Sequence, residues 1–189
     1  MKFLFISFVY LILVLKNGGS ISDELYWSKT RQLTWSDFQG KIPDSTGLSA
    51  GVSVKLKLSY EINKKLISVR LICFLAKKES WYKDTTNYAL NHEQTHFNIG
   101  ELIARMMRKQ MDSLSKAKTK ISINEIKTMF ESYSNKLKEM QDLYDNETNH
   151  SLNFDTEIRW ESMILEKLDK LKEFENLYEE FSFRKAKDD

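Results

Sequence analysis

Two histidines and a glutamate in the middle of the chain have the types and spacing for metal chemistry. The segment His92-Glu93-Gln94-Thr95-His96 is an H-E-x-x-H motif. On a helix, His92 and His96 lie about 40° apart and one turn along the axis, so both imidazoles can reach one ion. Glu93 is rotated about 100° from His92 and borders that ion without binding it. We therefore predict one catalytic zinc ion, with Glu93 as general base and then general acid toward a zinc-activated water.

The composition limits where else such chemistry could arise. The chain has 189 residues with a single cysteine and three histidines, the third being His150. One cysteine excludes both an internal disulfide and a thiolate-rich metal site. The net charge of +2 gives no indication of nucleic-acid binding. Because two of only three histidines fall inside the motif, a metal site is favoured over a solvated helix face that matches by chance.

A catalytic zinc site needs a third protein ligand and one open position. A metzincin would have a histidine at position 102, where this chain has Leu102. Glu101 lies on the opposite side of the helix from His92 and is excluded as a ligand. The remaining candidates, in order of preference, are His150, Glu147 and Asp145. His150 comes first because zinc favours nitrogen ligands.

The pattern of apolar residues predicts the elements that would position these side chains. Residues 52–58 alternate apolar and polar side chains and predict a half-buried strand; residues 66–75 predict its hairpin partner, and residues 80–82 a short third strand. Thr85 or Thr86 is predicted to cap a helix that runs to about Ser113. Ser122 and Glu125 form a capping box that opens a second helix. A polar segment, 145–151, separates it from a third helix over 154–181, so the fold class is α+β.

The N-terminal residues have the pattern of a secretory signal peptide. Met1-Lys2 is a short basic start, residues 3–15 are almost entirely apolar, and Gly18-Gly19-Ser20 supplies small residues for cleavage. Thirteen residues is short for a membrane span, although an uncleaved anchor is the alternative. We predict a signal peptide over 1–20 and a single domain over 21–189, exported to the periplasm or beyond. No cysteine lies near the cleavage region to carry a lipid, and no second apolar run could span a bilayer.

Five blocks of the sequence, taken in order, resemble a known family. The blocks are residues 33–41 (LTWSDFQGK), Ser80-Trp81, residues 90–101 (LNHEQTHFNIGE), residues 144–150 (YDNETNH) and Trp160. They resemble the DUF922 family, which comprises predicted secreted zinc-dependent proteases of bacteria with a zincin-like fold. The resemblance implies a zincin-like metallopeptidase domain with one zinc ion.

By the same resemblance, His92, His96 and His150 correspond to the family's histidines and Glu93 to its glutamate. The chain departs from the family at three positions. Thr95, Gly100 and Ser151 stand where the family often has glycine, alanine and glycine, respectively. None of the three is a proposed ligand, although Ser151 adjoins His150.

The predicted function is an exported zinc peptidase acting on peptide or protein substrates, an endopeptidase rather than an exopeptidase, or a related amidase. The alternative is a non-catalytic secreted or envelope binding protein that keeps zinc for stability. A third possibility is a structural helix that binds no metal.

Overall fold

The sheet and the helices form layers around one long central helix. The computed structural model describes residues 23–117, 120–176 and 178–186, so the predicted signal peptide over 1–20 lies outside the described residues. The elements are β1 Glu24–Tyr26, β2 Ala50–Gly51, β3 Val54–Ile62, β4 Leu66–Ala76, β5 Trp81–Tyr82, α1 Asn87–Lys116, β6 Lys120–Ile121, α2 Ile123–Thr148, α3 Phe154–Lys170 and β7 Phe181–Lys185. Helix α1 packs against β3, β4 and β7 on one side and against α2 and α3 on the other. The predicted α+β class is confirmed.

The predicted hairpin forms the centre of the sheet. Strands β3 and β4 pair antiparallel from Val54 opposite Leu75 to Ile62 opposite Ile67. Val54, Leu56 and Leu58, the apolar members of the alternating segment that lie in β3, are buried against α1, because successive side chains of a strand point to opposite faces. The other edge of β4 pairs with β1 at one end and with β7 at the other. The short strand predicted over residues 80–82 is also present, as β5 Trp81–Tyr82 paired with β2.

Side-chain caps define where the helices begin. Thr86 Oγ1 accepts a hydrogen bond from the Ala89 N–H at 3.2 Å, which starts α1 as predicted. The predicted capping box is formed: the Glu125 N–H donates to Ser122 Oγ at 3.1 Å, and the Ser122 N–H donates to Glu125 Oε2 at 2.8 Å. No helix among the described residues combines the length and apolarity needed to cross a membrane.

Two predicted boundaries are wrong. Helix α2 continues through the polar segment to Thr148, because its side toward α1 is stabilised by partners on that helix rather than by apolar burial. The third helix ends at Lys170 instead of residue 181. Beyond it, Phe181 and Phe183 alternate with polar residues and are buried in the sheet as β7, so burial in a strand prevails over continued helix.

A close approach between α1 and the hairpin depends on Gly100. A Cβ atom built there would overlap Val54 Cγ1 and would lie 2.9 Å from Cys73 Sγ. The missing side chain lets the middle of α1 lie directly on β3 and β4. The helix is therefore held at the sheet at the level of the turn that follows the H-E-x-x-H motif.

We predict that Gly100→Ala lowers the free energy of unfolding by about 1–3 kcal/mol, because the added methyl overpacks this contact. Urea denaturation would measure the loss. Gly47→Ala is the matched control, since a Cβ there would meet no atom of the described residues within 4 Å. In a double-mutant cycle, Val54→Ala should recover part of the loss; a strictly additive cycle would contradict the assignment of the clash to Val54.

Candidate metal centre

Three ligand atoms from two helices converge beside the middle of the fold. The Nε2 atoms of His92 and His96 are 3.1 Å apart, and they lie 3.2 and 2.9 Å, respectively, from Asp145 Oδ1. Ligands held about 2.1 Å from a tetrahedral zinc ion are separated by about 3.4 Å, so this nearly equilateral triangle is close to the face of such a site. Two imidazoles and a carboxylate are donors that zinc accepts, and the residues therefore fit the ion. A tetrahedral site built on these three ligands has one further coordination position.

The other nitrogen of each imidazole is bound to a side chain on a neighbouring helix. His92 Nδ1 donates to Glu157 Oε1 on α3 at 2.7 Å, and His96 Nδ1 donates to Gln141 Oε1 on α2. Gln141 Nε2 in turn donates to the His96 carbonyl at 3.3 Å. These contacts place the protons on Nδ1 and leave both Nε2 lone pairs facing the triangle.

The Tyr144 side chain packs against both imidazoles of the cluster. Its ring stacks on His92 with centroids 4.7 Å apart and meets His96 edge-on at 4.8 Å. Its hydroxyl donates to Glu157 Oε2 at 2.5 Å, and the whole side chain is buried. Tyr144 is therefore a core residue that fixes the two imidazoles and the Glu157 carboxylate, and it is not free to bind a substrate oxygen.

Glu93 is buried beside the imidazoles with part of its carboxylate unpaired. Oε2 of this carboxylate is shielded from solvent and has no hydrogen-bond partner among the described residues. Burial raises the pKa of Glu93, against the opposing effect of the imidazoles of His96 and His92. A buried carboxylate with an unpaired oxygen is a competent proton acceptor, which is the role predicted for Glu93.

The electrostatics of the cluster favour positive charge. Burial by itself would lower the pKa of His92, but the hydrogen bonds to Asp145 and Glu157 prevail and raise that pKa to about 10. Burial likewise opposes ionisation of Asp145, yet the imidazoles of His96 and His92 hold the pKa of Asp145 well below its ordinary value. The carboxylates of Asp145 and Glu157 thus stay ionised, and they require a cation beside them, either a proton on an imidazole or a metal ion.

The structure places the other ligand candidates outside the triangle. His150, the preferred third ligand, is 44% exposed, and its Nδ1 lies 3.7 Å from Asp145 Oδ1. Its role as a ligand stays a prediction. Glu147, the second choice, is exposed and accepts a hydrogen bond from Trp160 Nε1 at 2.8 Å. Glu101 turns away from the cluster, as its position on the helix predicts, and binds Arg105 and Arg108.

Sequence reasoning ranked Asp145 last and did not consider Gln141 or Glu157. A signal was available for the first two. Gln141, Tyr144, Asp145 and Thr148 have the spacing of one helix face, which becomes informative once α2 is known to extend to Thr148. For Glu157, no local pattern distinguishes it from the other acidic residues of α3.

His150 is carried by an unusual stretch of backbone. The φ angles of Asn149, His150 and Ser151 are 49°, 53° and 68°, all in the left-handed region. Asparagine and histidine are enriched in that region relative to other non-glycine residues, whereas serine adopts it at a greater cost. The position of Ser151, where the related family often has glycine, is therefore one that glycine would occupy without strain.

The chain is thus an α+β domain with a cluster of two histidines and one aspartate suited to hold a metal ion. Residues 16–151 match the model of the DUF922 family, described as a bacterial protein of unknown function. The chain belongs to this family. No curated protein matches it, and no solved structure does.

We predict that Glu157→Gln weakens zinc binding about 10–100-fold, because the neutral amide no longer polarises the His92 imidazole. Competition with a chromogenic zinc chelator would measure the affinity. Glu147→Gln is the matched control, because this carboxylate near the end of α2 accepts a hydrogen bond from Trp160, whereas that of Glu157 accepts one from His92. Equal losses in the two variants would show a general charge effect and contradict the specific role of Glu157.

Proposed function

We propose that this protein is a zinc-dependent hydrolase of peptide bonds. The proposal is carried by one observation: His92 Nε2, His96 Nε2 and Asp145 Oδ1 form a triangle with sides of 2.9–3.2 Å, and Glu93, next to His92 in the chain, keeps an unpaired, buried carboxylate oxygen. A site with three protein ligands and a neighbouring general base is the arrangement of a catalytic rather than a structural zinc site.

His92, His96 and Asp145 would hold the ion, and a zinc ion bound there supplies a Lewis acid that polarises a carbonyl and lowers the pKa of water to about 7. Glu93 Oε2 accepts one proton from the attacking water as its oxygen bonds to the scissile carbonyl carbon. The same carboxyl then donates that proton to the departing nitrogen as the C–N bond breaks, so that Glu93 returns to its starting state.

The raised pKa of Glu93 serves both steps. A carboxylate with an ordinary pKa is a weak base, whereas one whose pKa is raised by burial takes a proton more readily near neutral pH. Oε2, which is buried without a hydrogen-bond partner among the described residues, is the oxygen left to exchange the proton.

The edge of β3 that faces away from β4 favours an endopeptidase over an exopeptidase. Among the described strands, β3 pairs only with β4, so its other edge has no strand partner. An extended peptide can add to such an edge through main-chain hydrogen bonds, which accept substrate on both sides of the scissile bond. Val52, whose backbone N–H influences the pKa of Glu93, lies two residues before β3, so the start of this strand is near the general base.

Export of the enzyme is part of the proposal. It is supported by the basic start, apolar run and small residues of positions 1–20, which have the order of a secretory signal. The one cysteine, Cys73, is buried in β4, so its thiol is not accessible to oxidants outside the cytoplasm.

We predict that the purified protein contains about one equivalent of zinc and cleaves a broad peptide library in a chelator-sensitive way. Glu93→Gln should retain zinc and lower kcat/KM by a factor on the order of 10²–10⁴, the usual contribution of a general base. Elemental analysis and product sequencing measure the two quantities. Glu147→Gln is the control with unchanged activity. Full activity in Glu93→Gln would contradict the mechanism.

A second candidate function is a non-catalytic binding protein that keeps zinc for stability. One observation favours it: His150 Nδ1 lies 3.7 Å from Asp145 Oδ1, near enough for a small loop movement to bring a fourth protein ligand to the ion. Four protein ligands close a zinc site and leave no position for substrate. The role of His150 therefore separates the two functions.

We predict that His150→Ala changes zinc affinity less than about tenfold, whereas Asp145→Ala abolishes tight binding, because only Asp145 belongs to the triangle. Chelator competition and the thermal midpoint of the zinc-loaded protein measure both variants. If His150→Ala instead loses as much affinity and stability as Asp145→Ala, His150 is a ligand, as predicted from the sequence. The closed, structural site would then be supported.

A further inference from the structure

Large apolar side chains are exposed where α2 connects to α3. Leu152 is 78% exposed, Phe154 60% and Ile158 47%. Phe154 is stacked on Tyr88 of α1, with ring centroids 5.7 Å apart and planes 29° apart. We call these four side chains the apolar platform. Single exposed apolar residues are common on protein surfaces, but several together that include stacked aromatic rings indicate a binding surface.

The apolar platform lies directly beside the candidate metal centre. Tyr88 precedes His92 by one turn of α1, and Phe154 precedes Glu157 by about one turn of α3. Two contacts therefore join α1 to α3 in successive turns: the Tyr88–Phe154 stack and the His92–Glu157 hydrogen bond. One helical turn is about 5.4 Å, and an extended peptide advances about 3.3 Å per residue, so a side chain one or two residues from the bond being cleaved can reach across that distance.

We propose that the apolar platform is a substrate subsite that binds one large apolar side chain, aromatic or branched aliphatic, of the peptide next to the scissile bond. This inference rests on the proposed function and states its substrate class. The occupant is a side chain rather than a whole protein, because the platform is small and continuous with the metal centre. Stacking against Phe154 covers surface that the fold itself leaves in water.

Leu165 provides a matched control on the same helix. It is 48% exposed, and at 11 residues from Phe154 it lies within about 20° of the same helix face. It is nevertheless about 16 Å further along the axis, too far for the side chain that flanks the scissile bond. If the platform binds substrate, substitution of Phe154 alone should change substrate binding. If this helix face is a dimer or membrane surface, substitution of either residue should have an effect.

The first arm of the test is cleavage of a degenerate peptide library by the zinc-loaded protein, with product sequencing. Wild type should enrich Phe, Leu or Ile at one position beside the cleaved bond. Phe154→Ala should lower kcat/KM for a peptide with Phe there by about tenfold, through KM, and leave the matched glycine peptide and the zinc content unchanged. Leu165→Ala should behave as wild type. Cleavage without apolar enrichment, or equal effects of the two variants, overturns the subsite.

The second arm does not require hydrolysis, so it separates failure of the subsite from failure of the proposed function. Calorimetry measures binding of the same phenylalanine and glycine peptides to the zinc-loaded Glu93→Gln protein, with and without Phe154→Ala. A preference for the phenylalanine peptide that Phe154→Ala removes supports the subsite, even if wild type cleaves nothing. Equal binding of the two peptides overturns it. A loss of dimer in both Phe154→Ala and Leu165→Ala would assign the surface to self-association and also overturn it.

Discussion

Buried charge is the constraint around which this structure is organised. Three carboxylates and two imidazoles share the space between α1, α2 and α3: Glu93, Asp145, Glu157, His92 and His96. Burying ions is energetically costly unless they are closely paired, and removing one partner leaves the other charges buried and uncompensated. The three helices therefore have to meet at the spacing that pairs these groups, and a divalent cation would satisfy the same carboxylates as protonated imidazoles do.

A second group of buried charges lies further along α1. Glu101 binds Arg105 and Arg108, and Arg108 also donates to the carbonyls of Leu71 in β4 and Phe174. From His92 to Arg108, helix α1 is thus largely enclosed between the sheet and the other two helices, whereas residues at both ends of the helix are exposed. This enclosure explains why the charged residues of that stretch are buried, and Glu101, Arg105 and Arg108 pair with one another within the protein. It also explains why Gly100 is needed, since a helix packed on both sides has no direction in which to move.

Local patterns predicted the elements that depend on local physics. The alternation around Val54, the cap at Thr86 and the capping box at Ser122 each rest on neighbouring residues, and each is present. The H-E-x-x-H spacing placed His92 and His96 together because helix geometry alone determines it. Asp145 was ranked last, since its place in the triangle depends on how far α2 extends, and tertiary contacts that the sequence does not reveal determine that extent. Strand β7 was missed for the same reason: its partner strand β4 is distant in the chain.

Strand β7 has a consequence for how the protein folds. It pairs with β4 from Leu66 opposite Arg184 to Val69 opposite Phe181, contacts between residues far apart in sequence. Such non-local pairing forms slowly, because the entropy of closing a long loop is lost before the contacts are gained. Until it forms, the apolar edge of β4 can pair with another chain. Refolding yield should therefore depend on protein concentration, and β7, by covering this edge of β4, also protects the nascent fold from aggregation.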